Sequence, residues 1–218
     1  MKTLLGNFKY SGVPLHFDTE RIRRTGNMVF VGSHYRANAF LSFLNDIKKG
    51  EAQIHLHCLL EKSPFSWLQE TPAFCCASRT LEELQDALPE TPRSRYFPTS
   101  PTDTDNRIIT PYILVMDDLV VAHNNRLFDK VVGGLHASIL MRCNNFVLLG
   151  VVSPLEMTFF DTDRYNTFFF APFEEDSFLC HFVKFGAILP SMLADNELLV
   201  YINGQWDVLI VDSRWLPS

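Results

Sequence analysis

Apolar blocks recur along the chain and are separated by polar stretches. Met28-Val29-Phe30-Val31 is unbroken and closed by Gly32, and Tyr112–Met116 is closed by Asp117-Asp118. Phe146–Val152, ended by Ser153-Pro154, and Thr167–Ala171 repeat the form. Short apolar blocks bounded by turn residues predict buried strands. Gln53–Leu60 instead alternates Ile54, Leu56, Cys58 and Leu60 with polar residues, which predicts a further strand. Ala39–Lys49 carries Phe40, Leu41, Phe43, Leu44 and Ile47 at helical spacing before Gly50, so it reads as a helix. Leu81–Leu88 predicts a short helix capped by Ser78 or Thr80, with Glu82 and Glu83 near its positive end. Asn125–Arg142 and Glu175–Leu189 also read as helices, although Gly133-Gly134 weakens the first by roughly 1 kcal/mol per glycine. Glu197–Ile202 and Trp206–Val211 flank Asn203-Gly204, a strong hairpin signal. Tyr10–Phe17, Pro64–Cys76 and Pro89–Asn106 read as irregular, the last as an exposed loop.

Strands alternating with helices predict an α/β fold with a mostly parallel sheet and a C-terminal β-hairpin. The expected organisation is a single domain over residues 1–218, with its core over about 28–211 and the exposed loop over about 89–106. The apolar fraction of 47% is that of a globular chain and excludes wholesale disorder. Lys and Arg number 19 against 25 Asp and Glu, a net charge of -6 that argues against a generally basic, nucleic-acid-coating surface but spares a local basic patch. No apolar run is long enough for a transmembrane helix, and Met1–Tyr10 is too short an apolar region for a secretory signal. The five cysteines are odd in number and lack CxxC spacing, which favours a reduced, intracellular protein. Glycine is scarce, at 10 residues against 12 prolines.

Chemistry enters at the acid pair. At the carboxyl end of a parallel strand, one carboxylate can hold Mg²⁺ through water and a second can orient an attacking water. Ile113–Asp118 therefore has the form of a Walker B element, although strands entering polar loops produce the same pattern. The matching phosphate loop would be GxxxxGK[ST] after an earlier strand. Gly32-Ser33-His34-Tyr35-Arg36-Ala37-Asn38-Ala39 has the spacing but not the chemistry. Gly32 fits the first glycine, while Ala37, Asn38 and Ala39 stand where the second glycine, the lysine and the Mg²⁺-binding hydroxyl belong. The missing lysine removes a main electrostatic term in phosphoryl transfer. Arg21, Arg23, Arg24 and Arg36 read as a solvated basic rim, with a phosphate or DNA-backbone contact as the functional alternative. His55 and His57 lack companion ligands at metal spacing and read as solvated or hydrogen-bonded, and Cys75-Cys76 as packed.

The layout resembles the viral genome-packaging ATPases of the FtsK/HerA-like P-loop class, the poxvirus type. Met28–Ala39 matches that family's first element and Tyr112–Asp118 its Walker B with the doubled acid. Arg142-Cys143-Asn144-Asn145 stands at the Arg-His-x-Asn segment, with Cys143 replacing histidine, and Ser153 stands at the sensor glutamine. The resemblance runs from about Met28 to Val211 and implies a P-loop NTPase-like three-layer sandwich. It implies Asp117, Asp118 and Arg142 as vestigial catalytic positions, Asp117 as the Mg²⁺ position, and residues 32–39 as a degenerate phosphate loop.

Two functions follow as expectations. The first is a catalytically impaired relative that binds no cofactor and acts as an accessory or structural protein in packaging or virion assembly. The second is a divergent, active DNA translocase using ATP and Mg²⁺, with Arg36 or a partner's residue completing the site. Expected partners are further copies of the chain, an active packaging ATPase, a capsid protein or DNA, and no membrane. If the source is viral, the expected place is host cytoplasm, nucleus or virion.

Overall fold

In a computed structural model, residues 2–19, 27–87, 111–124, 146–159, 165, 167–173, 188–202 and 204–217 are described. The elements in chain order are β1 (Lys2–Phe8), β2 (Pro14–Asp18), β3 (Met28–Val31), α1 (His34–Leu41), β4 (Gln53–His57), β5 (Phe74–Ser78) and α2 (Leu81–Ala87). They continue with β6 (Tyr112–Met116), α3 (Leu119–Asn124), β7 (Phe146–Val152), β8 (Thr167–Phe170), β9 (Glu197–Ile202) and β10 (Gln205–Val211). The strands form one ten-stranded sheet in the order β2-β1-β10-β9-β8-β3-β7-β6-β4-β5. The run from β8 to β5 is parallel throughout, and β9, β10, β1 and β2 continue it antiparallel.

The apolar blocks become strands because both of their faces are covered. Ile113, Val115, Val147, Leu149 and Val151 pack on one side with Phe40, Leu41, Phe43 and Leu44. Leu114, Met116, Leu148 and Val152 pack on the other with Leu84, Leu119 and Ala122. Helices on both faces make three layers, with α1 on one side and α2 and α3 on the other. Much of the phenylalanine stabilises this core: Phe40 lies 5.0 Å from Phe169, and Phe17 lies 4.9 Å from Phe43, between ring centroids. Each such ring, fully buried, contributes about 1.5–3 kcal/mol.

Several boundaries differ from expectation. The helix expected over Ala39–Lys49 starts at His34, ends as an α-helix at Leu41 and tightens into a 3₁₀ turn over Ser42–Asp46. Ser33 caps it, its hydroxyl accepting from the Arg36 amide at 3.3 Å. The strand expected over Gln53–Leu60 stops at His57: the Cys58 amide makes a last bond to the Ser78 carbonyl, and the Leu59 and Leu60 amides then turn toward Asp117. Pro64–Cys76, expected as loop, contains a 3₁₀ turn over Ser66–Glu70 and the start of β5. Thr80, not Ser78, caps α2: its Oγ1 accepts from the Glu83 amide at 3.1 Å, and Glu83 reaches back to the Arg79 and Thr80 amides.

Tyr10–Phe17, also expected as irregular, contains β2 beside β1, so the antiparallel part is four strands rather than a hairpin alone. Gly6 sits where a Cβ would come within 2.2 Å of the Ile210 carbonyl oxygen, a close approach that breaks the apolar pattern of β1. Residues 89–106 and 125–142, and nearly all of 175–189, lie outside the described residues, and so do Arg21, Arg23, Arg24, Arg142, Cys143, Asn144 and Asn145.

Candidate functional site

The carboxyl edge of the parallel strands gathers the expected residues. β7 lies between β3 and β6, so Ser153 at its end stands between Gly32 and Asp117 in the strand order. The Gly32 amide donates to the Val152 carbonyl at 3.0 Å, and the Ala171 amide to the Val31 carbonyl at 2.9 Å, which locks the three central strand ends together. A Cβ at Gly32 would meet the Ala171 Cβ at 2.8 Å, so this glycine serves close packing. The Ser153 carbonyl accepts from the Glu156 amide at 3.0 Å and opens a 3₁₀ turn over Pro154–Phe159.

The segment at the phosphate-loop position is helical. α1 begins two residues after Gly32, and the Ala37 amide donates to the Ser33 carbonyl at 3.0 Å. A phosphate cradle needs several backbone amides free and convergent on the anion. Here Arg36 and Ala37 already spend theirs inside the helix. The Asn38 side chain, at the lysine position, accepts a hydrogen bond from Trp67 Nε1. Tyr35 is exposed, and Arg36 points away from the acids: its guanidinium donates to Asp195 Oδ1 at 2.8 Å and to the Asp195 carbonyl at 3.1 Å. The expectation that Arg36 restores the lost lysine charge therefore has no geometric support, because an aspartate already occupies it. Tyr35, Arg36, Asp195, Asn196, Leu216 and Pro217 line a groove of about 360 Å³ on this outer side of α1.

Both acids have structural partners. Asp117 is fully buried, and its carboxylate accepts from the Leu59 amide at 2.7 Å and the Leu60 amide at 3.4 Å. Its backbone carbonyl meets His34 Nε2 at 3.0 Å, joining the first turn of α1 to the end of β6. Asp118 Oδ1 accepts from the Val120 and Val121 amides, both at 2.9 Å, which is an N-cap for α3. A Mg²⁺ held by water on Asp117 does not fit these residues. The carboxylate is enclosed and bonded to backbone, and no hydroxyl stands at position 39 to share the ion. Among the described residues no group of three or more His, Cys, Asp or Glu side chains is arranged to hold a metal.

His55 and His57 sit on the α2 side of the sheet, buried rather than solvated. His55 Nδ1 is 2.6 Å from the Tyr112 hydroxyl and its Nε2 is 2.7 Å from Ser78 Oγ, which also meets His57 Nδ1 at 2.8 Å. Burial, then the neighbouring His57, pushes His55 down to about 4. Burial also lowers His57, against the pull of Asp117 and Glu83. Sequence reasoning missed the backbone donors at Leu59 and Leu60, the His34 link and the Asp195 partner. Ser33 immediately before the helix was a readable capping signal; the others carry none, being long-range contacts.

No family model matches the chain, and no curated protein sequence matches it. Solved structures do. The cytoplasmic domain of the Thermomonospora curvata Type VII secretion ATPase EccC is similar with a TM-score of 0.69 at 12% identity, over 96% of this chain and 26% of that one. The pCW3 conjugation coupling protein TcpA, in a monomer form with ATPγS, gives 0.63 at 10% identity, over 96% of this chain and 65% of that one. The genome packaging NTPase B204 from Sulfolobus turreted icosahedral virus 2, in complex with sulfate, gives 0.50 at 13% identity, over 87% and 96%. The chain thus spans about a quarter of the length of the EccC chain. The fold is that of the P-loop NTPases: one mixed α/β sheet, mostly parallel. Among the described residues no helix is long and apolar enough to cross a membrane.

Proposed function

We propose that this chain is a relative of the poxvirus-type packaging ATPases that has lost its phosphate loop and acts by binding, as an accessory or structural component of genome packaging or virion assembly. The observation that carries the reading is the helical start at His34. Amides that would cradle phosphates are bonded within α1, and His34 bridges to the Asp117 carbonyl. The likeness to secretion, conjugation and packaging ATPases supports the scaffold; the closed loop supports loss of catalysis on it. Its partners are a second copy, an active packaging ATPase or a capsid protein, and Arg21, Arg23 and Arg24 are its candidate contacts to DNA.

Calorimetric titration of the full chain with Mg²⁺-ATP, with and without DNA, tests this. The expected result is no saturable heat up to millimolar nucleotide. Micromolar binding that Asp117→Ala abolishes would instead establish the alternative, a divergent ATP-dependent translocase.

A further inference from the structure

Edge strand β5 carries two adjacent cysteines where strand geometry ought to separate them. Neighbouring residues of a regular strand point to opposite faces, yet Cys75 Sγ and Cys76 Sγ lie 3.4 Å apart. The cause is a register shift against β4. Ile54 pairs with Phe74 and the next residue, His55, pairs with Cys76, which leaves Cys75 as an extra residue. Such bulges re-aim side chains and are frequent at sheet edges. Both cysteines are free, Cys75 exposed and Cys76 half-buried, and among the described residues no strand pairs with the outer edge of β5. Cys75 Sγ also donates to the Ile54 carbonyl at 3.1 Å, across the bulge.

We propose that Cys75 and Cys76 form a redox-modification site, a dithiol that a small disulfide such as glutathione disulfide closes to a vicinal disulfide. The thiolate of one cysteine attacks a glutathione disulfide sulfur and expels one glutathione thiolate. The neighbouring cysteine, deprotonated in turn, attacks the protein-side sulfur of the mixed disulfide and expels the second. The pair loses two electrons and two protons, and the small disulfide becomes two glutathione thiols. The two sulfurs must close from 3.4 Å to a bond of about 2.05 Å. Adjacent Cα atoms stand only about 3.8 Å apart, below the usual disulfide span of about 4.4–6.8 Å. The ring is therefore strained and easily reduced, which makes the modification reversible. Partial burial of the Cys75 sulfur, then its hydrogen bond with Cys76, pushes that thiol up to about 12, so Cys75 rests as a thiol at neutral pH. Closure also takes Cys75 Sγ from the Ile54 carbonyl and loosens the bulge.

The test uses the reduced full chain incubated with glutathione disulfide, followed by intact mass, peptide mapping and reduction with dithiothreitol. The expected product has lost two hydrogens within the peptide containing Cys75 and Cys76, and reduction restores it. Cys58→Ser leaves this unchanged, whereas Cys75→Ser and Cys76→Ser each keep a glutathione adduct on the remaining thiol. A wild-type chain that ends with glutathione retained on either cysteine overturns the proposal. So does a two-hydrogen loss that persists in either single serine variant. Mapping of the wild-type chain alone decides the matter should a variant fold poorly.

Discussion

Asp117 and Asp118 stand side by side at the end of β6, and their surroundings separate them. Asp117 is enclosed and holds the Leu59 and Leu60 amides, while the half-buried Asp118 caps α3. Removing the first leaves the half-buried Leu59 and Leu60 amides without their acceptor, so Asp117→Ala is expected to cost about 1–3 kcal/mol. Asp118→Ala removes an N-cap and is expected to cost about 1 kcal/mol. Urea unfolding of both variants measures this, and an Asp117→Ala chain as stable as the parent would contradict a structural role. The acid pair itself was legible in the sequence. Its partners were not, because the Leu59 amide is 58 residues away and backbone donors leave no mark on composition.

At the scale of elements, legibility followed burial. β3, β6, β7 and β8 are covered on both faces and so appear as continuous apolar blocks. β1 carries Gly6 at a close approach, and β5 is an edge strand with exposed Cys75, so neither shows a clean period. The helix boundary was missed because Phe40, Leu41, Phe43 and Leu44 mark the buried face, whereas the polar first turn over His34–Arg36 contributes little to it. Gly150 shows how tightly elements meet: a Cβ there would come within 2.2 Å of the Leu119 side chain. Gly150→Ala is expected to push α3 off β7 at about 1–3 kcal/mol, read as a lower urea midpoint. An unchanged midpoint would mean that α3 is not seated as described.

For the whole molecule, the strand order was beyond the sequence, since the insertion of β7 between β3 and β6 depends on pairings made across long separations. The buried histidines act at this scale too. In the unfolded chain both titrate near pH 6.5, while burial holds His55 at about 4 and lowers His57 in the folded state. The unfolded state then binds more protons between those values, so stability falls as pH falls from about 6.5 to about 4. Glu83 and Glu197, held low by hydrogen bonds, add their loss at the acid end of that window and below. The melting temperature is expected to drop by roughly 5 °C between pH 7 and pH 5; a flat or rising profile would contradict the neutral, buried pair.

The segment that matches a phosphate loop is closed into helix and tied to the end of β6. Amide hydrogen exchange over residues 34–41, with and without Mg²⁺-ATP, addresses it directly. Protection from Ala37 onward is expected in the free protein, with no change on adding nucleotide. Fast exchange across Ser33–Asn38 that slows when Mg²⁺-ATP is added would contradict it.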